Sequence, residues 1–144
     1  MDRTGARQRT RTRAGKTVNR PVLLDTSFLV ALERETAGGE IGPARQLLPS
    51  LRGRQLVISI VSVEEILEDA EDEPAALAAL QRFTIQGLHL AHGRRCALLQ
   101  RRASHRLGEN DAWLVATADV LDADVAGADR RAFDRLGRRY VRFR

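Results

Sequence analysis

Val22-Leu23-Leu24-Asp25-Thr26-Ser27-Phe28-Leu29-Val30-Ala31-Leu32 is the stretch that decides the fold. A short apolar run stops at Asp25, and the apolar spacing then turns helical through Phe28, Leu29, Ala31 and Leu32. Strand, sharp turn and helix follow in that order, with Thr26 or Ser27 suited to cap the helix start. A carboxylate at the exit of a buried strand does nothing for a hydrophobic core, so Asp25 needs another explanation.

The same alternation continues downstream. Gly38-Gly39 breaks the first helix, and a second is expected over Ile41 to Leu51. Leu56-Val57-Ile58-Ser59 reads as a second buried strand, followed by a helix carrying Val61, Ile66 and Leu67 and ending in the acidic run Glu68 to Glu73. Pro74 opens another helix through Ala75–Phe83, since proline suits a first turn. Gly87-Leu88-His89-Leu90 predicts a third short strand, Arg94 to Arg106 an amphipathic helix stopped by Gly108, and Asn110 or Asp111 starts a helix to Leu121. Val125-Ala126, Asp129–Leu136 and Tyr140 to Phe143 predict strand, short helix and closing strand. Strands alternating with helices predict an α/β fold with a mainly parallel central sheet flanked by helices. Right-handed crossovers then place every strand's carboxyl end on one edge, where sites form.

Four acids sit just past an apolar run or at a helix start: Asp25, Glu65 (or its neighbour Glu64), Asp111 and Asp129. Converging carboxylates repel one another unless a cation lies between them. Acids without a His or Cys pair suit Mg²⁺ or Mn²⁺ rather than zinc. Such a cluster is a common device for cutting phosphodiesters. Each acid also has a plain structural role open to it: Asp25 as a turn or cap, Glu65 as a solvated helix acid, Asp111 and Asp129 as first-turn or capping acids.

Bulk properties bound the rest. At 144 residues the chain supports one domain with a real core. No apolar run approaches the roughly 20 residues of a membrane helix, and no secretory signal is evident. The single Cys96 excludes an intramolecular disulfide and fits a reducing, cytoplasmic setting. Seven basic residues and one acid in residues 1–20 make that segment +6, which leaves −1 for residues 21–144 out of a total of +5. Residues 1–20 are expected to be a disordered basic tail. It reads either as an arm adding phosphate affinity or as an extension from a start placed too early.

Residues from about Val22 to Phe143 resemble the PIN-domain ribonucleases, in particular the VapC-type toxins of bacterial toxin–antitoxin pairs. Leu23-Leu24-Asp25-Thr26-Ser27 is similar to the family's opening strand with its first Asp. Ser59 to Glu65 follows the family pattern of Ser, a hydroxyl residue three on, then Glu three further, which selects Glu65 over Glu64. Gly108-Glu109-Asn110-Asp111-Ala112-Trp113 through Ala118 carries the third acid, and the segment from Asp124 to Leu136 the fourth, Asp129. The resemblance implies a PIN-like nuclease domain over residues 21–144, endoribonuclease activity dependent on Mg²⁺ or Mn²⁺, a homodimer, and inhibition by a cognate antitoxin. It makes Asp25, Glu65 and Asp111 principal metal ligands, with Asp129 completing the site directly or through water.

One departure matters. Gly127 stands where the family has a hydroxyl residue two before the fourth acid, which would lose a hydrogen bond beside the metal and weaken its binding. The alternative is therefore a weak or inactive PIN-like module that binds RNA or protein. Ser27 and Asn110 lie beside the acids and could orient ligands or water. Arg102 and Arg130 are candidate phosphate contacts, along with Arg94, Arg95, Arg101, Arg106 and Arg131, on an otherwise solvated arginine face. His89, His92 and His105 lack ligand spacing and read as structural or surface residues, and Trp113 and Phe133 as core anchors. Apolar residues Phe28, Leu47, Leu48 and Leu51 exceed what a small sheet face requires, leaving some for a dimer or an antitoxin segment.

Overall fold

The computed structural model describes residues 20–128 and 134–144. Strands β1 (Val22–Leu24), β2 (Leu56–Ser59), β3 (Thr84–Gln86), β4 (Asp124–Gly127) and β5 (Tyr140–Arg142) form one sheet in the order β3-β2-β1-β4-β5. Every neighbouring pair runs parallel. Among the described residues the helices are α1 (Thr26–Gly38), α2 (Pro43–Leu47), α3 (Ile60–Asp69), α4 (Glu73–Leu80), α5 (Leu90–Arg102) and α6 (Glu109–Leu121). The chain winds outward from β1 to β3, then returns to the other side of β1 as β4. The crevice at the carboxyl ends of β1 and β4 is thus the point where strand order reverses, the usual binding position in such sheets.

Alternate residues of each strand supply two different core layers. Leu23, Val57 and Val125 pack with Cys96, Leu99, Leu114 and Val115 from α5 and α6. Val22, Leu24, Ile58 and Ala126 pack with Phe28, Leu29 and Leu32 of α1 and with Phe143. Burial on both faces explains why the strands read as unbroken apolar runs. The Phe28 and Phe143 rings meet edge to face, 5.1 Å between centroids. Phe28 and Leu51 are buried, while Leu47 and Leu48 pack against the same layer and stay partly exposed.

Three expectations need correction, and a fourth falls largely outside the described residues. The third strand is Thr84–Gln86 rather than 87–90; Ile85 of this edge strand is exposed, so it carries no apolar pattern to read. His89 instead caps α5, its amide donating to His92 Nδ1 at 3.0 Å, and α5 ends at Arg102. The segment from 41 to 51 is split, because α2 stops at Leu47 and a 3-10 turn holding Pro49 follows. The helix expected from Asp129 begins outside the described residues, and its described end is a 3-10 turn over Asp134–Arg139. The tail over residues 1–19 also lies outside the described residues.

Arg20, which composition grouped with the tail, is attached to the domain. Its carbonyl accepts from Arg54 Nε at 3.0 Å, and its guanidinium lies 3.6 Å from Asp124 and 3.5 Å from Asp122. Arg54 also pairs with Asp124, their side chains 10% and 8% exposed. This cluster fastens the amino ends of the strands, the edge opposite the crevice. Asp124→Ala leaves the buried Arg54 uncompensated and is expected to cost about 3 kcal/mol by urea denaturation. A loss below about 0.5 kcal/mol would show the pair to be as weak as a surface bridge.

Candidate active site

Asp25 leaves β1 in an extended conformation and caps α1, the plain structural role the sequence left open to it, in place of Thr26 or Ser27. Its Oδ1 accepts from the Phe28 amide at 2.8 Å and from Ser27 Oγ at 2.7 Å. Ser27 Oγ in turn accepts from the Ala128 amide at 3.3 Å, which ties the end of β4 to the start of α1. The Asp25 residue is 4% exposed. Burial pushes its carboxyl up from an ordinary 3.8 to about 6; the Phe28 and Ser27 hydrogen bonds work against this, and the charge of Asp111 adds to it. A buried carboxylate disfavoured as an anion, with a second acid in electrostatic range, is a charge arrangement that a cation would relieve.

Gly127 makes that placement possible. A Cβ built there would stand 2.0 Å from Asp25 Oδ2 and 2.5 Å from its Cγ. The carboxylate occupies the space a side chain would take. Gly127 is therefore a close-approach glycine rather than merely a residue lacking a hydroxyl, which changes the meaning of the one departure from the family pattern.

Glu65 lies in the second turn of α3 and is half-buried. Thr26 Oγ1 donates to its Oε1 at 2.6 Å, and Asn110 Nδ2 donates to its Oε2 at 2.8 Å. Thr26 Oγ1 also stands 2.9 Å from Ser62 Oγ, whose residue is fully buried. Glu64 points outward and is hydrogen-bonded to Glu68, which raises its carboxyl pKa. Of the two neighbours, only Glu65 is joined to the start of α1 and the start of α6. Asp111 lies in the first turn of α6, half-buried, directly after Asn110.

Glu65 is thus bonded to Thr26 and Asn110, the sequence neighbours of Asp25 and Asp111, while Ser27 holds Asp25 beside the end of β4. Among the described residues, no three His, Cys, Asp or Glu side chains gather closely enough to enclose an ion. Asp129 and Arg130, with Arg131 and Phe133, lie outside the described residues. Arg102 is exposed at the last turn of α5, and no described hydrogen bond ties it to the acids. Arg95 is engaged by Asp119 at 2.8 Å, so it is a structural pair rather than an open phosphate contact. His92 is buried and His105 exposed, neither bonded to the acids. Trp113 packs against the α5/α6 core layer. The sequence reading missed Thr26 and Ser62 as site residues. Ser62 was visible only as a hydroxyl in the pattern leading to Glu65.

The donors are all oxygen or amide groups, with carboxylates half to fully buried, and this set fits a hard divalent cation. No helix among the described residues is long and apolar enough to cross a membrane.

A family model described as PIN domain matches residues 22–139. No curated protein matches the chain. Among solved structures, the chain is similar to a toxin–antitoxin complex from Klebsiella pneumoniae, with TM-score 0.67, 22% identity, and coverage of 83% of this chain and 95% of that one. It is also similar to VapBC-1 from nontypeable Haemophilus influenzae, with TM-score 0.62, 18% identity, and coverage of 85% and 98%. VapBC2 from Rickettsia felis, bound to a DNA fragment from its promoter, matches with TM-score 0.62, 15% identity, and coverage of 85% and 96%.

Proposed function

We propose that this chain, which belongs to the PIN-domain family, is a metal-dependent endoribonuclease and the toxin of a toxin–antitoxin pair. The observation that carries this is Asp25: a buried carboxylate, with Asp111 in electrostatic range, at the crevice between β1 and β4. Placing a disfavoured anion there makes sense if a cation is the intended occupant. The structural neighbours, three toxin–antitoxin assemblies, support a protein inhibitor as partner. The same proposal takes RNA as substrate, two copies of the chain per assembly, and the cytoplasm as its place of action.

Asp25, Glu65 and Asp111 would hold Mg²⁺ or Mn²⁺, with Asp129 as a fourth ligand. When bound, such an ion offsets charge on the phosphate and makes nearby water a better nucleophile. The chain's own residues do the arranging. Ser27 and the Phe28 amide fix Asp25 Oδ1, and Thr26 and Asn110 fix the two oxygens of Glu65. No side-chain nucleophile is needed. Exposed arginines on α5, Arg94, Arg101 and Arg102, together with Arg106 and Arg130, would meet backbone phosphates.

The test is incubation of total RNA with the protein plus Mg²⁺, Mn²⁺ or EDTA, with cut ends mapped for wild type and Asp25→Ala. Discrete cuts that need the ion and disappear in the variant are expected. Cleavage undiminished in EDTA, or by Asp25→Ala, would overturn the proposal, and native mass spectrometry of the same preparation should read two copies.

A further inference from the structure

We propose that Thr26 is a positioning residue that sets the ion affinity of the site, acting on Glu65 and itself oriented by the buried Ser62; this rests on the ion-binding site proposed above. Thr26 Oγ1 lies within hydrogen-bond distance of two oxygens, Glu65 Oε1 at 2.6 Å and Ser62 Oγ at 2.9 Å. A hydroxyl carries one hydrogen, so it cannot donate to both. The carboxylate takes it, because the 2.6 Å contact falls in the range of charge-assisted O–H to O⁻ bonds and the other does not. Ser62 must then donate to Thr26. The result is a directed chain, Ser62 to Thr26 to Glu65, crossing from α3 to the start of α1 and back.

The chain has a consequence for the carboxylate. Oε1 is held by Thr26 and Oε2 by Asn110 at 2.8 Å, one donor on each oxygen from a different helix. Each oxygen keeps a lone pair directed elsewhere. Both donors are neutral, so they orient the carboxylate without cancelling the charge a cation needs. Thr26 follows Asp25 directly, so a single turn fixes one acid through its own cap and a second acid through the next side chain. Ser62 has no exposure, and among the described hydrogen bonds its hydroxyl reaches Glu65 through Thr26.

Thr26→Val keeps the shape and removes the hydroxyl, while Thr26→Ser keeps the hydroxyl. Mn²⁺ binding followed by electron paramagnetic resonance reads the site without any RNA. Thr26→Val should weaken Mn²⁺ by 10- to 100-fold, the usual range when a group orienting a metal ligand is lost. Thr26→Ser should stay within about 3-fold of wild type, short of that range. Ser62→Ala should weaken binding, and the double variant should be no worse than Thr26→Val alone, because Ser62 acts through Thr26. Should Thr26→Val fail to fold, Thr26→Ala takes its place. Wild-type Mn²⁺ affinity in a folded Thr26→Val protein would overturn this inference alone, as would additive losses in the double variant. A wild-type protein that binds no Mn²⁺ would overturn the ion site itself.

Discussion

Asp25→Asn is expected to make the ion-free protein more stable while abolishing its activity. The folded environment raises the Asp25 carboxyl from 3.8 to about 6, chiefly through burial. That shift corresponds to about 3 kcal/mol between the protonated and ionised forms. Because the folded value is the higher one, the stability tied to the neutral acid is fully present below pH 3.8 and is lost as pH rises through about 6. Asparagine keeps an acceptor for the Phe28 amide and Ser27 but carries no charge. In EDTA at pH 8 the variant should gain about 2–3 kcal/mol over wild type, and the gain should vanish near pH 4. Urea denaturation at both pH values reads this. Added Mn²⁺ should raise the wild-type midpoint and leave the variant's unchanged, since only a state that binds the ion is stabilised by it. RNA cleavage should fall by more than about 100-fold, beyond what loss of a mere ligand partner costs. A variant less stable than wild type at pH 8 in EDTA would show that Asp25 is a structural cap rather than a charge held for a cation.

Filling Gly127 is expected to damage both stability and activity. Its neighbour is the Asp25 carboxylate, 2.0 Å from where a Cβ would stand. The carboxylate can yield only by leaving the Phe28 amide and Ser27, and the site is too buried to offer water in exchange. Gly127→Ala should cost about 1–3 kcal/mol in overpacking and lost capping. Cleavage should fall at least about 100-fold, since the carboxylate proposed as a metal ligand moves. Gly127→Thr, which installs the hydroxyl expected from the family pattern, should be worse than wild type rather than better. Removing the carboxylate should relieve the crowding, so Asp25→Ala combined with Gly127→Ala should be less destabilised than the sum of the two. A Gly127→Thr protein as active as wild type would mean that Asp25 does not lie against β4.

Legibility followed burial and locality. β1, β2 and β4 were readable because both of their faces are buried and their sequences are correspondingly apolar. The edge strand β3 was not, since its central Ile85 is exposed and its pairing depends on β2 rather than on its own pattern. The start of α5 was missed because His92, at the third helical position, bonds back to the cap amide, a place that Glu or Gln usually takes. Of the caps the sequence offered for α1, Thr26, Ser27 or Asp25, the last is the one used. Asp25 takes that bond, which frees Thr26 to reach Glu65.

The chain by itself determined the parallel α/β order and put Asp25, Glu65 and Asp111 on the segments that reach one edge of the sheet, because strand runs, helix starts and crossover handedness are local or nearly universal. Only the tertiary structure decided what holds those acids. The bonds from Thr26 to Glu65, from Asn110 to Glu65 and from Ala128 to Ser27 join residues 39, 45 and 101 positions apart, and no local pattern encodes such partners. Gly127 shows the difference most sharply: in sequence it is a missing hydroxyl, and in the fold it is the space that admits the Asp25 carboxylate. That space is created by β4 lying beside β1, so its meaning exists only once the strands have paired.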